Sequence, residues 1–156
     1  MKEKPPVFRN LARLAVIALP AGLGAAPALA QEPARLEIVW PLEGMVLPLG
    51  SDAERAVGVV VRSNFTLRPA GQCGADPRCG HIHMKLDPDG TSCNIPGRPY
   101  NSMNSDFGGD LIAARFGHCP TPTGAHVIGS LLADDHHRPI LVDGQPVTAL
   151  VRVTTR

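Results

Sequence analysis

The sequence predicts an all-β, antiparallel sandwich of about seven strands, stabilised by disulfides. Three observations carry that expectation. Apolar residues recur at every second position in short runs, as a strand with one buried face requires, and no long segment repeats with the 3.6-residue period of a helix. Sixteen glycines and sixteen prolines among 156 residues interrupt those runs at short intervals, which suits turns between strands. The four cysteines form an even set, the pattern of a disulfide framework in an oxidising compartment.

The first thirty residues read as a signal peptide. Lys2, Lys4, Arg9 and Arg13 surround or precede an apolar run from Leu14 to Leu23, and Ala28-Leu29-Ala30 has the small-x-small form of a cleavage site. Pro20, Gly22 and Gly24 break the run, which is too short to span a bilayer. Cleavage near Ala30 would leave residues 31–156 as a single β-sandwich domain, periplasmic or secreted, with no membrane span. Four of the fifteen Lys+Arg and one of the fourteen Asp+Glu fall in the leader, leaving eleven cations against thirteen acids. Lys85 is then the sole lysine. Such a chain has no basic track for phosphates, which argues against a nucleic-acid partner.

From residue 31 onward the strands follow one another closely. Leu36 to Trp40 is the first, ended by Pro41, with Trp40 expected at the core edge. Met45-Val46-Leu47 follows a Glu43-Gly44 turn. Ala56 to Arg62 is rich in valine and reads as a central strand buried on both faces. Phe65-Thr66-Leu67 extends it beyond a bulge. A loop carrying Cys73 and Cys79 leads to Gly80–Asp87, and a second, long loop runs from Asp87 to about Gly117 around Cys93. Loops of that length in compact domains are functional or pinned. Pairing Cys73 with Cys79 and Cys93 with Cys119 clasps both. Asn94, Tyr100, Asn101, Asn104, Asp106 and Asp110 supply oxygen atoms there, but no calcium-loop spacing is present. A strand from Thr123 to Ala133 comes next, and a closing hairpin turns at Asp143-Gly144 into Val147–Val153.

Candidate chemistry centres on histidine. In Gly80-His81-Ile82-His83-Met84-Lys85-Leu86, the apolar set should face a core, which puts both imidazoles on the opposite face. Two strand steps of about 3.3 Å set their Cβ atoms roughly 6–7 Å apart, within reach of one metal ion. All six histidines lie between His81 and His137. His126 or His136 is expected to complete the site, Asp134 and Asp135 to orient the rings, and Met84 or Met103 to offer a soft ligand. His126 also stands where a sandwich corner residue would bond to backbone. Signatures of serine hydrolases, zinc proteases, P-loops and dinucleotide sites are absent from the sequence, so an enzymatic role ranks last.

The motifs Gly80-His81-Ile82-His83-Met84 and Gly124-Ala125-His126 through Asp134-Asp135-His136 resemble those of uncharacterised exported bacterial domains with an immunoglobulin-like sandwich. That resemblance implies the immunoglobulin-like form of the fold, and no activity. The His-x-His strand followed by Cys93 is also faintly similar to copper/zinc superoxide dismutases. There, Tyr100 stands in the place of the bridging histidine, and the zinc-site spacing and glycine-rich lid are missing. The expected function is therefore an exported module binding copper or zinc. A non-catalytic interaction domain with an unknown protein partner is the alternative, and a dismutase-like enzyme the third reading.

Overall fold

A computed structural model describes residues 31–90, 93–103 and 109–156. Residues 1–30, where a signal peptide is expected, lie outside the described residues, as do Asn104 and Asp106. Glu32–Arg156 form one compact unit. Among the described residues, seven strands of three residues or more build it: β1 (Leu36–Trp40), β2 (Met45–Leu47), β3 (Ala56–Ser63), β5 (Cys79–Leu86), β7 (Leu111–Arg115), β8 (Gly124–Ala133) and β11 (Thr148–Thr155). Four two-residue strands supplement them: β4 (Thr66–Leu67), β6 (Ser102–Met103), β9 (Leu141–Val142) and β10 (Gln145–Pro146).

The strands divide between two main sheets. One has the order β1-β3-β7, and the other β2-β11-β8-β5-β4 with β6 also paired to β5. Most pairs are antiparallel, but β2 joins β11 and β4 joins β5 in parallel. The chain therefore changes sheets after β3, and Thr66–Leu67 continues beside β5 rather than prolonging its predecessor. The turn falls at Asp143-Gly144 as expected, both at positive φ, but the hairpin there joins β9 to β10, whereas the strand expected as its second arm, β11, pairs with β8 and β2. Positive φ at both turn residues is the backbone a two-residue primed turn needs.

The core lies between the sheets. Val57, Val59, Val61, Ile112 and Ala114 face Ile82, Met84, Leu86, Ile128, Leu132, Val151 and Val153 across it. Each large side chain so buried is worth roughly 1.5–3 kcal/mol. β3 departs from the expectation of two buried faces. Only its odd-numbered valines Val57, Val59 and Val61 are buried, and among the described residues no strand layer covers the outer face of this three-stranded sheet. Trp40 is 38% exposed and does not anchor the core.

Two disulfides brace the loops, Cys73–Cys79 and Cys93–Cys119. The long loop is pinned as well as clasped. The Asn101 side-chain amide donates to the carbonyls of Cys93 (2.6 Å) and Arg115 (2.9 Å), while its oxygen accepts from Arg115 N (2.7 Å). Opening Cys93–Cys119, whose partners are 26 residues apart, is expected to cost roughly 3–4 kcal/mol on the chain-entropy model. Urea unfolding of Cys93→Ser/Cys119→Ser measures it, and an unchanged midpoint would show that the loop is held by Asn101 alone.

Candidate metal centre

The register of β5 decides where its histidines go. Ile82, Met84 and Leu86 pair with Leu132, Ser130 and Ile128 of β8 and point into the core. His81, His83 and Lys85 therefore share the other face, beside Ala133, Leu131 and Gly129. A one-residue slip would turn the imidazoles into the core between the sheets and move the apolar set to the other face, so core packing fixes the site's orientation.

The third histidine arrives from the turn after β8. Asp134 organises that turn. Its Oδ1 accepts from His136 N (2.8 Å) and Arg138 N (2.9 Å), and its carbonyl accepts from His137 N (3.1 Å). The Arg138 guanidinium closes on Oδ2 at 2.7 Å. Slight burial would raise the Asp134 carboxyl, but the Arg138 and His136 backbone N–H groups and the Arg138 charge outweigh it and lower the group to about 2. His137 ends the turn at φ 63°, a left-handed conformation that histidine tolerates better than most side chains. Its ring thereby reaches back over β5.

Three ring nitrogens converge. His81 Nε2 lies 2.5 Å from His83 Nε2 and 3.0 Å from His137 Nδ1, and His137 Nδ1 lies 3.2 Å from His83 Nε2. In a neutral imidazole a protonated nitrogen cannot also accept. A triangle built from one nitrogen of each ring therefore leaves at least one edge with two lone pairs or two N–H groups opposed. A cation at the centre removes that conflict. Nitrogens about 2.0–2.1 Å from a tetrahedral zinc ion would stand about 3.3 Å apart, close to two of the three edges, and the His81–His83 edge would have to lengthen to match. The three histidines can thus hold a metal ion.

Electrostatics keep the site ready to bind. Burial, then the neighbouring His81 and His137, lower His83 to about 4. Burial and His137 also lower His81, against the opposing pull of the Asp135 and Asp134 carboxylates and the Asp134 backbone. Both strand histidines are fully enclosed, whereas His137 is exposed. His137 also borders a cleft of about 900 Å³ lined by Tyr100, Met103, Arg115 and His118. Tyr100 packs edge-on against the His83 ring, 4.0 Å between centroids.

The other expected site residues lie elsewhere. His136 is exposed in the turn, contributing its backbone N–H to Asp134. His126 sits on the core face of β8, against the Phe116 ring. It is seven residues, or about 23 Å of strand, from Ala133, the partner of His81. Rather than bonding to backbone, its Nδ1 meets Asp87 Oδ2 at 2.8 Å. Met84 is in the core, turned from the imidazoles by strand alternation, while Met103 pairs with His83 across β5 and β6 and shares its face. Asp135 binds Gly71 N (2.7 Å) and Cys73 N (3.2 Å), holding the first disulfide loop instead of a ring nitrogen. Nδ1 of His81 and of His83 has no hydrogen bond of good geometry. His137 was not singled out by its spacing. Its only signal is the Asp134-Asp135 turn, which could carry either following histidine.

Gly80 sets the approach of this turn to β5. A Cβ there would run into the Ala133 carbonyl. Gly80→Ala is expected to cost roughly 1–3 kcal/mol and to weaken metal binding by displacing the turn. Unfolding and metal titration of that variant check both effects.

The described residues therefore form a disulfide-braced β-sandwich with a three-histidine group on one sheet face. No model of a known protein family matches the chain, and no curated protein matches it in sequence. Among the described residues, no helix is long and apolar enough to cross a membrane.

Proposed function

We propose that this protein is an exported metal-binding domain whose ligands are His81, His83 and His137, and that its ion is copper or zinc. The convergence of three imidazole nitrogens within 3.2 Å of one another carries this reading. Three neutral imidazoles suit either metal. Met103, in register with His83 on the same face, is a soft side chain beside the group, which favours copper. The two disulfides fit an oxidising compartment. Binding and holding an ion, rather than turnover, is the role assigned.

Calorimetric titration of copper and zinc into the oxidised, tag-free protein tests the proposal. One equivalent should bind to wild type, with affinity lost in His83→Ala and retained in His126→Ala. Equal affinity in wild type and His83→Ala, or none in either, refutes it and leaves a structural or interaction domain.

A further inference from the structure

We infer that Asp87, Cys93, Cys119 and His126 form a second metal site, closed while the Cys93–Cys119 disulfide is intact and opened by its reduction. The inference does not depend on the three-histidine site. Asp87 leaves β5 at φ 47° and folds back onto β8. Its N donates to Val127 O (2.7 Å), and its Oδ1 accepts from Val127 N (2.8 Å). That fixes Oδ2 between His126 Nδ1, at 2.8 Å, and the Cys93 sulfur, at 3.4 Å. One ligand atom from each of the four residues lies within 4.8 Å of all the others.

Two further observations point to a ligand. His126 is only 5% exposed, and its Nε2 is buried with no hydrogen-bond partner. Both cysteines are buried beside it. Nδ1 is the ring nitrogen turned toward Asp87 and the sulfurs, so the imidazole is held in place through the same atom that would ligate. Two thiolates, an imidazole and a carboxylate make the tetrahedral S₂NO set preferred by zinc or cobalt(II), unlike the all-imidazole group at the other end of the sheet.

The opening step is a two-electron reduction. A dithiol reductant gives two electrons and two protons to the S–S bond, which breaks into two thiols while the reductant closes to its own disulfide. The metal then displaces both thiol protons. The same ligand atoms thus serve as a covalent brace when oxidised and as a metal brace when reduced.

The experiment uses the full chain carrying Cys73→Ser/Cys79→Ser, so that one disulfide remains. It is titrated with cobalt(II) before and after anaerobic treatment with a non-coordinating phosphine. The oxidised protein should show no thiolate-to-cobalt charge-transfer band. The reduced protein should show one that saturates at one equivalent and is removed by zinc. His126→Gln, and independently Asp87→Asn, should weaken that band's apparent affinity at least about tenfold, whereas His83→Ala should leave it unchanged. Far-ultraviolet circular dichroism follows the β structure throughout. No charge-transfer band on reduction, a band indifferent to both substitutions, or a reduced chain that loses its β spectrum and does not regain it with metal would each overturn the inference.

Discussion

His137→Asn is expected to lower metal affinity at least about 100-fold, beyond the effect of losing an outer-shell partner alone. His136→Asn should leave affinity unchanged. The two residues are adjacent, yet only His137 turns its ring over β5, because its φ of 63° reverses the chain above the strand. Asparagine also accepts that backbone conformation, so the substitution removes a ligand without unmaking the turn. The Asp134 bonds to His136 N and Arg138 N involve backbone donors and survive both changes. Calorimetry on the two variants checks the contrast. A larger loss in His136→Asn would mean that the turn presents the other ring.

The metal-free protein is expected to lose roughly 3 kcal/mol of stability between about pH 6.5 and pH 4 through His83 alone. The native ring is lowered to about 4 by burial and by His81 and His137, whereas an unfolded histidine titrates near 6.5. Below that value the unfolded chain takes up a proton that the native site refuses, so acid favours unfolding until the native ring also protonates. His81, lowered for the same reasons, acts in the same direction. Asp134 is separate: held near 2, its contribution is lost only below the ordinary carboxylate range. Urea midpoints of the apo protein at pH 7.5, 5.5 and 4.5 should fall in step. In His83→Phe the fall should be shallower, and a wild-type midpoint flat across this range would contradict the burial argument.

Much of the larger sheet was legible because its strands have one apolar face. The alternation through Ile82, Met84 and Leu86 already places His81 and His83 together, and the Asp143-Gly144 turn marks the last hairpin. Strand β7 was hidden inside the long loop. Its inward residues are Ile112 and Ala114, and a single large inward side chain gives too weak an apolar signal between Gly109 and Gly117. The site was half legible for a related reason. Strand phase says which side a residue faces, but it stops at Asp134, and beyond it a side-chain-capped turn decides. His126 belonged by phase to the core face with Ile128 and Leu132, and its own parity with them was the available clue. Asp87, which binds it, gave no such sign, since its role depends on a positive φ.

X-ray absorption at the metal edge of the oxidised protein, loaded with one equivalent of copper or zinc, tests the central claim most directly. Three imidazole shells at about 2.0–2.1 Å, falling to two in His137→Asn, are predicted. A site built mainly from carboxylate or water oxygen, or a signal indifferent to His137, would contradict it.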